Sequence, residues 1–94
     1  FEFDFNLQEL RKNNNPIKIT NKEAMIIEQL GKNMNKTISR NEIAQNLKIN
    51  EDSRNVDVFI TRLRRKIINS DGSSFLKTIR GYGYMLKTDY EIKN

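Results

Sequence analysis

Two tetrapeptides, Thr20-Asn21-Lys22-Glu23 and Ser39-Arg40-Asn41-Glu42, limit the folds open to this chain more than any other feature. Each has the form of a capping box, in which a hydroxyl accepts from an orphan amide at a helix start. The acid three residues on answers the cap's own amide. Ala24, Ile27, Leu30 and Met34 follow the first box at helical spacing, which predicts a helix over about 21–34. Ile43, Ala44 and Leu47 follow the second and predict a short helix near 40–47, with Thr37-Ile38 extended before it. Asp52 or Ser53 is the candidate cap of a third helix over about 54–69. Its apolar residues Val56, Phe59, Ile60, Leu63 and Ile67 gather on one side.

The flanks of this helical middle read as strands. Phe1-Glu2-Phe3-Asp4-Phe5 alternates apolar and polar, the period of a half-buried strand. Leu7 to Leu10 and Ile17 to Ile19 are candidate partners, with Asn13-Asn14-Asn15-Pro16 as the turn between them. After the third helix, Ser70-Asp71-Gly72-Ser73-Ser74 breaks the chain. Phe75 to Ile79 and Tyr84 to Lys87 then form a hairpin around the turn Arg80-Gly81-Tyr82-Gly83. The expected class is α+β, a single domain over 1–94: an N-terminal sheet over 1–19, a three-helix core over 20–69 and a hairpin over 75–88. Phe1, Phe3, Phe5, Ile27, Leu30, Leu47, Ile60, Leu63 and Ile67 are the expected core, and Tyr84 is expected to pack on a helix.

Composition narrows the chemistry. The 94 residues include no Cys and no His, which removes disulfides, thiolate sites, the commonest zinc ligands and the usual near-neutral general base. Asp57, Asp71 and Glu51 stand at no spacing that suggests paired carboxylate work, so neither an enzyme, a metal nor a cofactor is expected. No apolar stretch approaches the roughly 20 residues that span a bilayer. The expectation is a small soluble intracellular domain without a membrane partner.

Charge is distributed unevenly. The chain carries +5 overall, yet Arg54, Arg62, Arg64, Arg65, Lys66, Lys77, Arg80 and Lys87 face only Asp57 and Asp71 within 53–87, a net of +6. Five of the seven Arg lie in that segment but only three of the ten Lys. Arg presents a planar fork of donors suited to phosphates and to guanine edges, so the segment reads as a polyanion-binding surface on a neutral body, the alternative being a basic face that serves solubility alone. Two tightly joined helices, the second with a basic outer face, and a hairpin after them make a helix-turn-helix with a wing.

The run Ser53-Arg54-Asn55-Val56-Asp57-Val58-Phe59-Ile60-Thr61-Arg62-Leu63-Arg64-Arg65-Lys66-Ile67, with Lys77-Thr78-Ile79-Arg80-Gly81-Tyr82-Gly83-Tyr84 and both capping boxes, resembles the C-terminal DNA-binding domain of OmpR/PhoB-type bacterial response regulators. The resemblance covers nearly the whole chain. It implies a winged helix-turn-helix behind a four-stranded N-terminal sheet. It further implies the output domain of a cytoplasmic two-component system controlling transcription, with the third helix in the major groove and the wing in the adjacent minor groove. Partners implied are double-stranded DNA with promoter direct repeats, a second copy bound head to tail, and RNA polymerase. The loop that meets polymerase in some members is short here, 47–53, and lacks Trp-Gly. The family commonly has Thr where this chain has Asn55 and His where it has Phe59.

On this reading Arg62 makes a bidentate contact to guanine, the alternative being a solvated surface Arg. Val58 meets a thymine methyl or is a tolerated exposed hydrophobe. Asn55 reads adenine or bonds a phosphate, or sits in the first turn for local reasons. Arg54, Thr61, Arg64 and Arg65 suit phosphates, as do Thr78 and Tyr82 in the wing, and Arg80 suits a narrow minor groove, the alternative being an ordinary hairpin with a surface Arg. Gly81 and Gly83 let the wing bend close to DNA. Asp57, an acid beside expected phosphates, is assigned to an internal pair with Arg40 or Arg80. The runner-up is a winged-helix module for protein–protein interaction, which the charge disfavours because interface cores are depleted in charged residues.

Overall fold

The computed structural model describes residues 2–48, 53–68, 72 and 74–87, the first two residues of the third helix by backbone alone. Its strands and helices follow in the order β1 (Glu2–Asp4), β2 (Glu9–Lys12), β3 (Asn15–Ile17), α1 (Asn21–Lys32), β4 (Ile38–Ser39), α2 (Arg40–Leu47), α3 (Ser53–Lys66), β5 (Leu76–Ile79) and β6 (Gly83–Leu86). Two antiparallel sheets result, ordered β1-β2-β3 and β4-β6-β5. This is the α+β winged arrangement expected, with three strands rather than four in the N-terminal sheet among the described residues.

In the first sheet, Phe3 pairs with Leu10 and Leu10 with Ile17, one apolar row across three strands that faces the core. The strand expected at Leu7 begins at Glu9 instead. The Asp4 carboxylate accepts from the amides of Asn6 and Leu7 at 2.8 and 3.0 Å, a local turn that outcompetes extended backbone. Leu7 is left 70% exposed. Phe5 also departs from the expected core: it lies in this turn, 43% exposed, against Gly31 and edge-on to Phe3. Asn13 and Asn14, with φ of 54° and 69°, close the β2–β3 hairpin as a two-residue turn requiring positive φ at both positions. Asn15 and Pro16 are therefore strand, and Pro16 is tolerated because β3 is the edge of this sheet. Phe1 and Asp52 lie outside the described residues.

The first capping box closes in both directions: Glu23 N–H donates to Thr20 Oγ1 at 3.2 Å and Thr20 N–H to Glu23 Oε1 at 2.8 Å. The second closes by half, with Glu42 N–H donating to Ser39 Oγ while that hydroxyl turns to Glu42 Oε1. Asn33 ends α1 by donating its side-chain amide to Gln29 O, so Met34 falls beyond the helix and is 40% exposed. Ile26, absent from the expected stripe, is fully buried. Helix α3 stops at Lys66 rather than 69, and its buried residues are Val56, Ile60, Leu63 and, just past its end, Ile67. They meet Ile27, Leu30, Ile43, Leu47, Leu76 and Tyr84 in one core.

One ion pair of this core was not legible from spacing. Glu23 is 1% exposed, and Lys66, from the last turn of α3, donates to its Oε1 at 2.7 Å. Burial pushes the Glu23 carboxyl up. The Lys66 hydrogen bond, the Thr20 amide, the Lys66 charge and the Thr20 hydroxyl together outweigh it and hold the group below its ordinary value. A depressed folded pKa contributes stability that is present above the unfolded value and is lost as pH falls through the folded one. Glu23→Gln should therefore lower the unfolding temperature at about pH 6, and the gap to wild type should close towards about pH 3. A gap that stays constant across thermal unfolding curves at those pH values refutes the charged role.

Candidate nucleic-acid interface

The hydrophobic side of α3 is fixed against the core, so its other side is forced outward. Asn55, Val58, Thr61, Arg62 and Arg65 are all exposed, Val58 at 48%. Phe59 sits at the border and packs on the core, as its place in the apolar stripe implies. Arg54 belongs to the first turn of α3, and its side chain lies outside the described residues. Arg62 and Arg65 make no ion pair or hydrogen bond with another described residue, which leaves their donors available. Thr61 turns its hydroxyl proton back to Asp57 O at 2.8 Å, as an i−4 bond within the helix. The C-terminal turn of α3 concentrates Arg64, Arg65 and Lys66.

The wing is β5–β6 with Arg80, Gly81 and Tyr82 at its tip. Tyr82 N–H donates to Ile79 O at 2.9 Å, and Gly81 takes φ of 81° at the third position of this turn, where a type II turn requires positive φ. Arg80 is exposed, and Tyr82 is 75% exposed. Gly83 is not part of the turn. It pairs with Ile79 and Ser39 at the centre of the second sheet and is buried. A Cβ there would stand 2.0 Å from Ile38 O, so the residue lacks a side chain because β4 passes too close, not because the wing bends at that point.

Two side chains expected at phosphates are tied to one another. Arg64 Nε donates to Leu76 O at 3.2 Å and its Nη2 to Thr78 Oγ1 at 2.7 Å, which couples α3 to β5. Asp57 has the internal partner expected of it, and the partner is Arg40: Arg40 Nε lies 3.1 Å from Asp57 Oδ1. The Tyr84 hydroxyl donates to the same carboxylate oxygen. Burial raises the Tyr84 phenol above its ordinary pKa, the Asp57 carboxylate raises it further, and Arg40 offsets only part. It is therefore a protonated donor at neutral pH. Arg40 is raised in turn by Tyr84 and by the Asp57 charge. The acid on α3 is thus neutralised within the fold, and the outward face keeps its positive sign. The Tyr84 hydroxyl was missed as a functional group because its spacing marked it only as a core aromatic.

Residues 14–86 match the family model described as "Transcriptional regulatory protein, C terminal". The transcriptional regulatory protein PhoP of Escherichia coli K12 is 32% identical over 90 residues, covering 93% of this chain and 40% of that protein's length. The DNA-binding domain of CpxR from E. coli superposes with a TM-score of 0.80 at 24% identity, over 94% of this chain and 90% of that one. The DNA-binding domain of the response regulator AdeR, solved in complex with an intercistronic region, superposes with a TM-score of 0.78 at 25% identity, over 92% and 90%.

Proposed function

Given that the chain belongs to the family of transcriptional regulatory protein C-terminal domains, we propose that it binds double-stranded DNA in a sequence-specific manner as the output domain of a two-component response regulator. One observation carries this reading: the exposed side of α3 is a stripe of Asn55, Val58, Arg62 and Arg65, whose two arginines make no ion pair or hydrogen bond with another described residue, beside a wing whose tip presents Arg80 and Tyr82. An α-helix fits the major groove of B-DNA, and in this reading the hairpin beside it reaches the next minor groove.

In this proposal Arg62, Val58 and Asn55 meet base edges. Arg54, Thr61, Arg65, Thr78 and Tyr82 line the phosphates, Arg64 offers its remaining Nη1 to them, and Arg80 enters the minor groove. A second copy binds head to tail on a direct repeat, RNA polymerase is the downstream partner, and the setting is the bacterial cytoplasm. The AdeR domain is solved on DNA with the same fold, and among the described residues no helix is long and apolar enough to cross a membrane. Nothing in the proposed role needs a metal, a cofactor or catalysis.

Salt titration tests the electrostatic part. With roughly six phosphates neutralised, log affinity for a promoter duplex should fall against log salt with a slope near −5. A slope near zero, or binding that persists at about 0.5 M salt without a DNA mobility shift, points instead to the protein–protein module.

A further inference from the structure

Two hydrogen bonds between α3 and the hairpin converge on one rung of the second sheet, and a third, from Arg64 Nε to Leu76 O, reinforces the Arg64 side. Thr78 of β5 pairs directly with Tyr84 of β6, and Tyr84 pairs with Ile38 of β4. Thr78 accepts from Arg64 on α3, and Tyr84 donates to Asp57 on α3, which Arg40 of α2 holds from the other side. Asp57 and Arg64 stand two helical turns apart, about 10 Å along the axis. A single hydrogen bond lets a hairpin pivot, whereas two attachments separated along the helix remove the pivot.

We propose that Asp57 and Tyr84, braced by Arg40 and by the Arg64–Thr78 bond, form a two-point clamp that sets the angle of the wing to α3, making Tyr84 a positioning residue for minor-groove contact by Arg80. The proposal rests on the DNA-binding reading above. From the clamped rung the tip extends two residues on each strand, a lever of about 7 Å. A rotation of about 20° at the rung would move the tip by roughly 2 Å, enough to break hydrogen bonds made there. The clamp removes that freedom before binding, so the two grooves are engaged by one preorganised surface.

The test is a double-mutant cycle in the 94-residue chain, on a duplex obtained by selection from random sequences. Tyr84→Phe deletes only the hydroxyl and leaves the ring in the core. It should weaken binding about fivefold in the wild-type background and again about fivefold with Arg62→Ala, but less than about twofold with Arg80→Ala, because a wing with no contact gains nothing from being aimed. Asp57→Asn, which keeps an acceptor for the phenol, should lose less than Tyr84→Phe. Should Tyr84→Phe fail to fold, Asp57→Ala removes the acceptor without touching the buried ring and repeats the cycle. Residual dipolar couplings on the free chain provide a second readout: β5–β6 and α3 should share one alignment in wild type and diverge in the variant. Equal losses in the Arg62→Ala and Arg80→Ala backgrounds, or unchanged couplings, overturn the clamp. Failure of the wild-type chain to select any duplex removes the DNA reading instead, and the couplings still judge the clamp.

Discussion

Gly83→Ala should destabilise the chain by about 3 kcal/mol, the upper end of the usual overpacking range. For a domain of this size that lowers the unfolding temperature by roughly 12–24 °C. The added methyl would stand 2.0 Å from Ile38 O and 2.9 Å from Ser39 Cα, both backbone, so no side chain can swing aside to admit it. Relief requires β4 to separate from β6, and β4 leads directly into α2 through the Ser39 cap. Gly81→Ala is the control. It carries a strained φ of 81° but has no atom within 4 Å of the added carbon, so its penalty should be only about 1–2 kcal/mol. Calorimetry that finds the two variants equally stable would show that Gly83 serves backbone freedom and not the close approach of β4.

Arg62→Ala should leave stability within about 0.5 kcal/mol, since the side chain is exposed and makes no ion pair or hydrogen bond with another described residue. Its effect belongs to binding. Loss of a bidentate contact to guanine O6 and N7 should cost about 1–3 kcal/mol and relax the preference at one base position. Selection from random duplexes, run in parallel on wild type and variant, reads both the affinity and the base position. Uniform weakening across all sequences would instead make Arg62 a phosphate contact, with a salt slope smaller by about one.

Arg64 and Thr78 show why a basic face cannot be read residue by residue. Both lie in the positive segment and both suit phosphates, yet each has spent a polar group on the other. Spacing on a helical wheel distinguishes outside from inside. It does not distinguish an outward side chain that waits for a ligand from one that braces a neighbouring strand. Asp57 was legible for the opposite reason: an acid within a cationic stripe demands an internal partner, and Arg40 supplies it. At the N-terminus the alternation that put Phe5 with Phe3 in the core overstated it, because the Asp4 turn ends the strand before Phe5 and period-two burial ends with it.

What the sequence determined by itself is what is decided within a few residues: the start of α1 and α2 by hydroxyl caps, the apolar seam of α3, the concentration of arginine after residue 53 and the glycine turn of the wing. These depend on hydrogen bonds and periodicities no longer than a helical turn or a hairpin, so their causes are adjacent in the chain. Only the tertiary structure decided that Lys66 reaches Glu23 across 43 positions, that Gly83 lies beneath β4, and that Tyr84 and Arg64 hold the wing to α3. Those pairings exist because burial of the shared core brings distant elements to fixed distances, and a polar group enclosed there must find its partner among whatever the packing has placed in reach.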